Sequence, residues 1–176
     1  MMRTPKVFKK EKFHDDRGFF TQIWSDFYPW EEIEAKPVQE NLSESKKNVF
    51  RGMHWQIPPF EQGKLVTVLH GAIVDFIVDL RLGSVDFGKG IKFSLESESQ
   101  SSLWVPPGFA HGFLSLEEGT MVLYQVTKPW NPDLERSFSP DSLEGLFGLA
   151  TSDLTLSLKD RNAPKFPELS EEDCFE

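Results

Sequence analysis

The chain of 176 residues carries 28 Asp and Glu against 19 Lys and Arg, and a formal net charge of −9 sets its far field against nucleic acid and anionic membranes. That length suits one domain over residues 1–176, with a core expected at about 6–163 and an acidic, loosely ordered tail at 164–176. The single cysteine, Cys174, excludes an intramolecular disulfide and a cysteine-based zinc site, and no apolar run is long enough for a signal or a membrane span, so a cytoplasmic location is expected. Sixteen Phe and five Trp suit strands better than a helical bundle.

In chain order, His14-Asp15-Asp16-Arg17-Gly18 has turn chemistry, and Phe19 to Trp24 is rich in strand formers. Arg17 at this turn suits a ligand contact or a solvated cation equally. Tyr28 to Ala35 is a short helical candidate with Trp30 and Ile33 on one face. Val38 to Ser45 alternates, which would set the amides of Gln39 and Asn41 on one face of a strand. Lys64 to Leu69 and Ile73 to Leu80 read as two consecutive strands with a Gly-containing reversal at His70-Gly71-Ala72. In the second, Asp75 shares a face with Ile77 and Asp79, and a carboxylate on so apolar a face needs a partner, for which His111 is a candidate. Strands are also expected at Ile91 to Leu95, on both sides of the Pro106-Pro107-Gly108 corner, and at Thr120 to Val126, which holds Tyr124. Many short strands punctuated by Gly and Pro predict an all-β jelly roll, a sandwich or barrel with a few short peripheral helices.

The chemistry concentrates in Arg51-Gly52-Met53-His54-Trp55-Gln56 and Gln62-Gly63-Lys64. Arg51 and Lys64 flank His54 with cations that are costly to bury without an anion, so a pocket for a charged ligand is expected. On strand context alone Tyr124 would be a core aromatic, and Asp160 in Ser157-Leu158-Lys159-Asp160 a surface carboxylate.

The collinear strings DDRGFF, RGMHWQ, QGKLV, VDLR, WVPPGFAHGF, LYQVTKPWNPD and LSLKD span about residues 13 to 161 and resemble the dTDP-4-dehydrorhamnose 3,5-epimerase family. The resemblance implies a cupin-type jelly roll, a homodimer, and epimerisation of a nucleotide-linked 4-keto-6-deoxy sugar without metal or organic cofactor. It implies His54 as base with Asp160 as its carboxylate, Tyr124 as proton donor and Lys64 near the sugar carbonyl. Arg17, Gln22, Gln39, Asn41, Arg51, His111, Trp130, Glu135 and Lys159 fall where the family contacts substrate. Gln22, Leu42, Glu44 and Pro129-Trp130 depart from the family pattern, which leaves nucleotide and sugar specificity open.

The reaction asks for these residue types on its own terms. Removing a proton beside a ketone needs a base of near-neutral pKa and a donor at the carbonyl oxygen, and inversion needs an acid on the other face. Two other functions fit parts of the pattern. A metal-dependent cupin enzyme would use Pro106-x-Gly108-x-x-His111 with His54 and Glu61, although Gln56 stands where a second His of that signature would be. A non-catalytic jelly roll would bind the nucleotide sugar with the same cations.

Overall fold

The computed structural model describes residues 1–23, 25, 29–99 and 101–176. Strands β1 (Lys6–Lys9), β2 (Lys12–Asp15) and β3 (Gly18–Thr21) precede a one-turn helix α1 (Trp30–Ile33). Next come β4 (Gln39–Ser45), β5 (Phe50–Gln56), β6 (Lys64–His70), β7 (Ala72–Asp79) and β8 (Gly90–Glu96). After β9 (Ser101–Val105), β10 (Phe109–Ser115), β11 (Thr120–Val126) and β12 (Glu135–Ser137) the chain closes with helices α2 (Leu143–Phe147) and α3 (Leu158–Arg161). The expected strand at Phe19 to Trp24 ends at Thr21, and the expected helix at Tyr28 to Ala35 is confined to α1; Trp24 and Tyr28 lie outside the described residues.

Two five-stranded antiparallel sheets, β1-β9-β6-β11-β4 and β12-β5-β10-β7-β8, pack face to face. Successive strands change sheet, since β5 to β6, β6 to β7, β8 to β9, β9 to β10 and β10 to β11 all cross over. That winding is the expected jelly roll. The reversal at Gly71 therefore closes no hairpin: β6 pairs with β9 and β11, whereas β7 pairs with β8 and β10. The reason lies in β7 itself, which is apolar on both faces. Ile73 and Ile77 pack between the sheets with Val66, Leu103, Phe113 and Val122, while Val74, Phe76 and Val78 face a second core with Phe50, Met53, Trp55 and Phe138. Only an interior strand of a sheet covered on both sides buries both sets.

The outer face of the first sheet is capped by Trp30 and Ile33 of α1, which cluster with Phe8, Leu65 and Trp104. Helix α2 brings Leu143, Leu146 and Phe147 onto the outer core of the second sheet, as their spacing suggests. Residues 164–176 are docked rather than loose. Phe175 is buried, its amide donates to the Leu80 carbonyl at 3.0 Å, and the Trp55 indole donates to the Asp173 carbonyl at 2.7 Å. An acidic composition hid two aromatic anchors, Phe166 and Phe175, whose burial outweighs the ordering cost of a short segment.

One backbone approach sets up the site. At Gly52, where φ is +128°, an added Cβ would lie 2.5 Å from Gly112 Cα and 2.8 Å from the His111 carbonyl. Strands β5 and β10 can meet this closely only with glycine at both positions. The register shifts at that point, between His111 and Phe113, and leaves His111 opposite His54.

Candidate active site

Alternation along β5 turns Met53 and Trp55 to the outer core, so His54 between them points into the space between the sheets. There it lines a cavity of about 320 Å³ together with Lys64 of β6, His111 of β10 and Tyr124 of β11. His54 Nε2 lies 2.5 Å from Asp160 Oδ1. The carboxylate arrives on α3, where the Ser157 side chain accepts from the Asp160 amide at 3.0 Å and starts the helix. Asp160 is buried rather than a surface group, against the reading of its polar surroundings. Burial alone would raise its pKa, but the bonds from His54, Ser157 and the Gly52 backbone win and hold it below the usual carboxylate range. An Nε2–H given to this carboxylate leaves Nδ1 as the unprotonated ring nitrogen.

A second histidine–carboxylate pair lies beside the first. His111 Nε2 is 2.7 Å from Asp75 Oδ2, the partner its sequence context suggested, and both groups are buried. Here desolvation dominates, and Asp75 is pushed up despite His111 and Lys64. Its Oδ1 has no hydrogen-bond partner among the described residues.

Lys64 Nζ donates to the His54 carbonyl at 3.2 Å. Burial pulls this ammonium down to about 8, with Glu135 and Asp75 resisting the shift. The Tyr124 phenol is pushed the other way by burial, up to about 12, and its hydroxyl sits 2.9 Å from Ser43 Oγ. It therefore stays protonated at neutral pH. The cavity thus combines an imidazole oriented by a carboxylate, a half-buried cation and a protonated phenol, the set needed to move protons next to a carbonyl.

A sequence profile of the dTDP-4-dehydrorhamnose 3,5-epimerase family matches residues 2–168. The chain belongs to that family. The dTDP-4-dehydrorhamnose 3,5-epimerase of Pseudomonas aeruginosa is 39% identical over 173 residues, covering 96% of this chain and 93% of that protein. The crystal structure of dTDP-6-deoxy-D-glucose-3,5-epimerase from Legionella pneumophila Philadelphia 1, in complex with dTDP-4-keto-L-rhamnose, aligns with a TM-score of 0.90 at 33% identity and covers 97% of this chain and 92% of that one. For dTDP-4-dehydrorhamnose 3,5-epimerase from Sulfolobus tokodaii the TM-score is 0.87 at 34% identity, with 98% and 94% covered. The jelly roll is of the cupin type that these neighbours share.

Most residues that resemblance to the 3,5-epimerase family singled out are gathered at the cavity. Asn41, Arg51, Trp130, Glu135 and Lys159 line it with His54, Lys64, His111, Tyr124 and Asp160. Lys159 is ion-paired with Glu135, and the Arg51 guanidinium is braced by Ser45 Oγ and the Glu44 carbonyl, both at 2.9 Å. Gln39 stands behind this lining, donating to Asn41 Oδ1 at 2.8 Å and accepting from the Trp130 amide at 3.0 Å. Arg17 and Gln22 are not brought in. Arg17 projects from the exposed β2–β3 hairpin and pairs with Asp15 at 2.6 Å, and Gln22 follows that hairpin, also exposed.

Gln62, within the stretch where the chemistry concentrates, also lines the cavity, as do Phe113, Val126 and Ser157, which the sequence did not mark as site residues. The Ser157-x-x-Asp160 spacing was a readable helix-start signal, and Ser43 continues the alternating row of Gln39 and Asn41. The metal-cupin set is not assembled, because Glu61 lines a separate cavity from His54 and His111. Among the described residues no group of three or more His, Cys, Asp or Glu is arranged to hold a metal. Nor, among them, is any helix long and apolar enough to cross a membrane.

Proposed function

We propose that the protein epimerises a dTDP-linked 4-keto-6-deoxyhexose at C3 and C5 through an enolate. One observation carries this reading: His54 and Tyr124 enter the same cavity from opposite sheets. A sugar ring held between them turns one face to a base and the other to an acid. His54, oriented by Asp160, takes the proton next to the C4 ketone. The Lys64 ammonium meets the oxygen on which negative charge develops, and Tyr124 returns a proton to the far face. Arg51 is available to the pyrophosphate, and Trp130, exposed at the rim, offers a stacking face to the base. The dTDP-4-keto-L-rhamnose bound to the Legionella neighbour supports the choice of nucleotide and sugar.

The reading includes a homodimer. The β2–β3 hairpin is a separate two-stranded sheet with Phe13, Phe19 and Phe20 exposed, and a hairpin of this kind is marginal alone. Docked on a second copy, it would bury those rings and deliver Arg17 to the neighbouring cavity. Sedimentation equilibrium should give a dimer that Phe19→Ser with Phe20→Ser weakens; a wild-type monomer contradicts this part.

Proton NMR of dTDP-4-keto-6-deoxyglucose in D₂O with the protein tests the reaction. Both the C3 and C5 proton signals should wash out as the inverted sugar forms. Exchange at C3 alone would make it a monoepimerase, and turnover of GDP- or CDP-linked sugars in place of the dTDP sugar would overturn the nucleotide assignment. Silence with all three would leave a binding protein.

A further inference from the structure

Each inversion unbalances the two proton-transfer groups. His54 ends it one proton richer and Tyr124 one poorer. If the same bound sugar is to be inverted at a second carbon, Tyr124 must regain a proton before the sugar leaves, while that sugar occupies the cavity in front of it. An anionic phenol therefore needs a route to solvent other than the cavity mouth.

Among the described residues, the group hydrogen-bonded to the Tyr124 hydroxyl is Ser43 Oγ, at 2.9 Å. Ser43 lies on β4, the edge strand of the first sheet, and is half-buried. Tyr124 is the register partner of Asn41, so Ser43 two residues on is its diagonal neighbour on the same face. The other polar groups acting on the phenol are engaged elsewhere. Arg51 of β5 is held by Ser45 and Glu44, and Asp75 of β7 by His111. We infer that Ser43 is a relay and positioning residue that recharges Tyr124 between the two inversions of one bound sugar.

The step balances. The Ser43 O–H bond breaks as the Tyr124 O–H bond forms, solvent at the strand edge returns a proton to Ser43, and His54 releases its extra proton to solvent. Burial makes the Tyr124 anion a strong base, and the proton reaches it through the Ser43 hydroxyl in one concerted shift, with solvent replacing the Ser43 proton as it leaves.

This inference rests on the epimerase reading, and its test separates the two. Proton NMR in D₂O would follow C3 and C5 exchange and product identity for the wild type, Ser43→Ala and Ser43→Thr. With Ser43→Ala the first carbon should still invert, the second should slow by about tenfold or more, and singly inverted sugar should be released. Ser43→Thr, which keeps the hydroxyl, should restore the doubly inverted product. Equal slowing at both carbons would reduce Ser43 to a structural support for Tyr124, and unchanged kinetics would remove it altogether; either outcome overturns the relay. A wild type that inverts one carbon only removes the step the relay serves and overturns it while sparing the epimerase reading. A wild type without exchange overturns both.

Discussion

His54–Asp160 and His111–Asp75 are chemically the same pair, on strands that are neighbours, with the two histidines opposite each other in register. They differ in access. The His54 side chain is 28% exposed, into the cavity, whereas that of His111 is 4% exposed. The carboxylates respond in opposite directions. Asp160 collects three donors and is held low, while Asp75, with one oxygen unpartnered among the described residues, is pushed up by burial. A pair that must exchange a proton with substrate needs a fully bonded carboxylate and an open imidazole face. The nearly sealed pair holds its imidazole in the cavity wall and pulls electrostatically on Lys64.

That contrast can be broken first at Asp160. Asp160→Asn should lower kcat by about 10²–10⁴-fold by disturbing the orientation and protonation of His54, with little change in melting, since an amide still fits the α3 turn. A wild-type rate would show that the open pair is not the working one. The sealed pair should fail in the other currency. His111→Ala leaves the Asp75 carboxyl buried without its partner and should cost about 3 kcal/mol in denaturant unfolding. Loss of activity with unchanged stability would mean that His111 acts mainly on substrate. The link between the pairs is next in size. Lys64 loses its charge as pH rises through about 8, so kcat/KM should fall on that side. Asp75→Asn removes a stabilising charge and should move the alkaline limb lower, while Lys64→Arg should move it higher. A limb that stays put in both variants belongs to another group. Smallest is the rim: Trp130→Ala should raise KM about fivefold, the worth of one stacking contact, with kcat little changed.

How far the sequence disclosed this arrangement depended on how local each signal was. The strands β6, β7, β9, β10 and β11 were legible from alternation and from the Pro-Gly corner, because period and punctuation are local properties. Their pairing was not. The reversal at Gly71 looks like a hairpin until both faces of β7 are seen to need cover. Asp75 announced its need for a partner by sitting between Ile73 and Ile77, whereas Asp160 gave no such sign. Its burial is created by strand β5, 106 residues away in sequence. Alternation with Gln39 and Asn41 gave the face of Ser43 but not its role, since a serine in an edge strand acquires meaning only from Tyr124 on the strand beside it. The tail misled for the opposite reason, its acidic composition masking Phe175.

Removal of the sugar's proton by the open pair, and not by the sealed one, is open to a direct test. The direct measurement is the rate of deuterium incorporation at C3 and C5 of dTDP-4-keto-6-deoxyglucose in D₂O, comparing wild type with His54→Ala after both are shown to be folded. Exchange at both carbons should fall by about 10²-fold or more in the variant. Exchange in His54→Ala at the wild-type rate would contradict it.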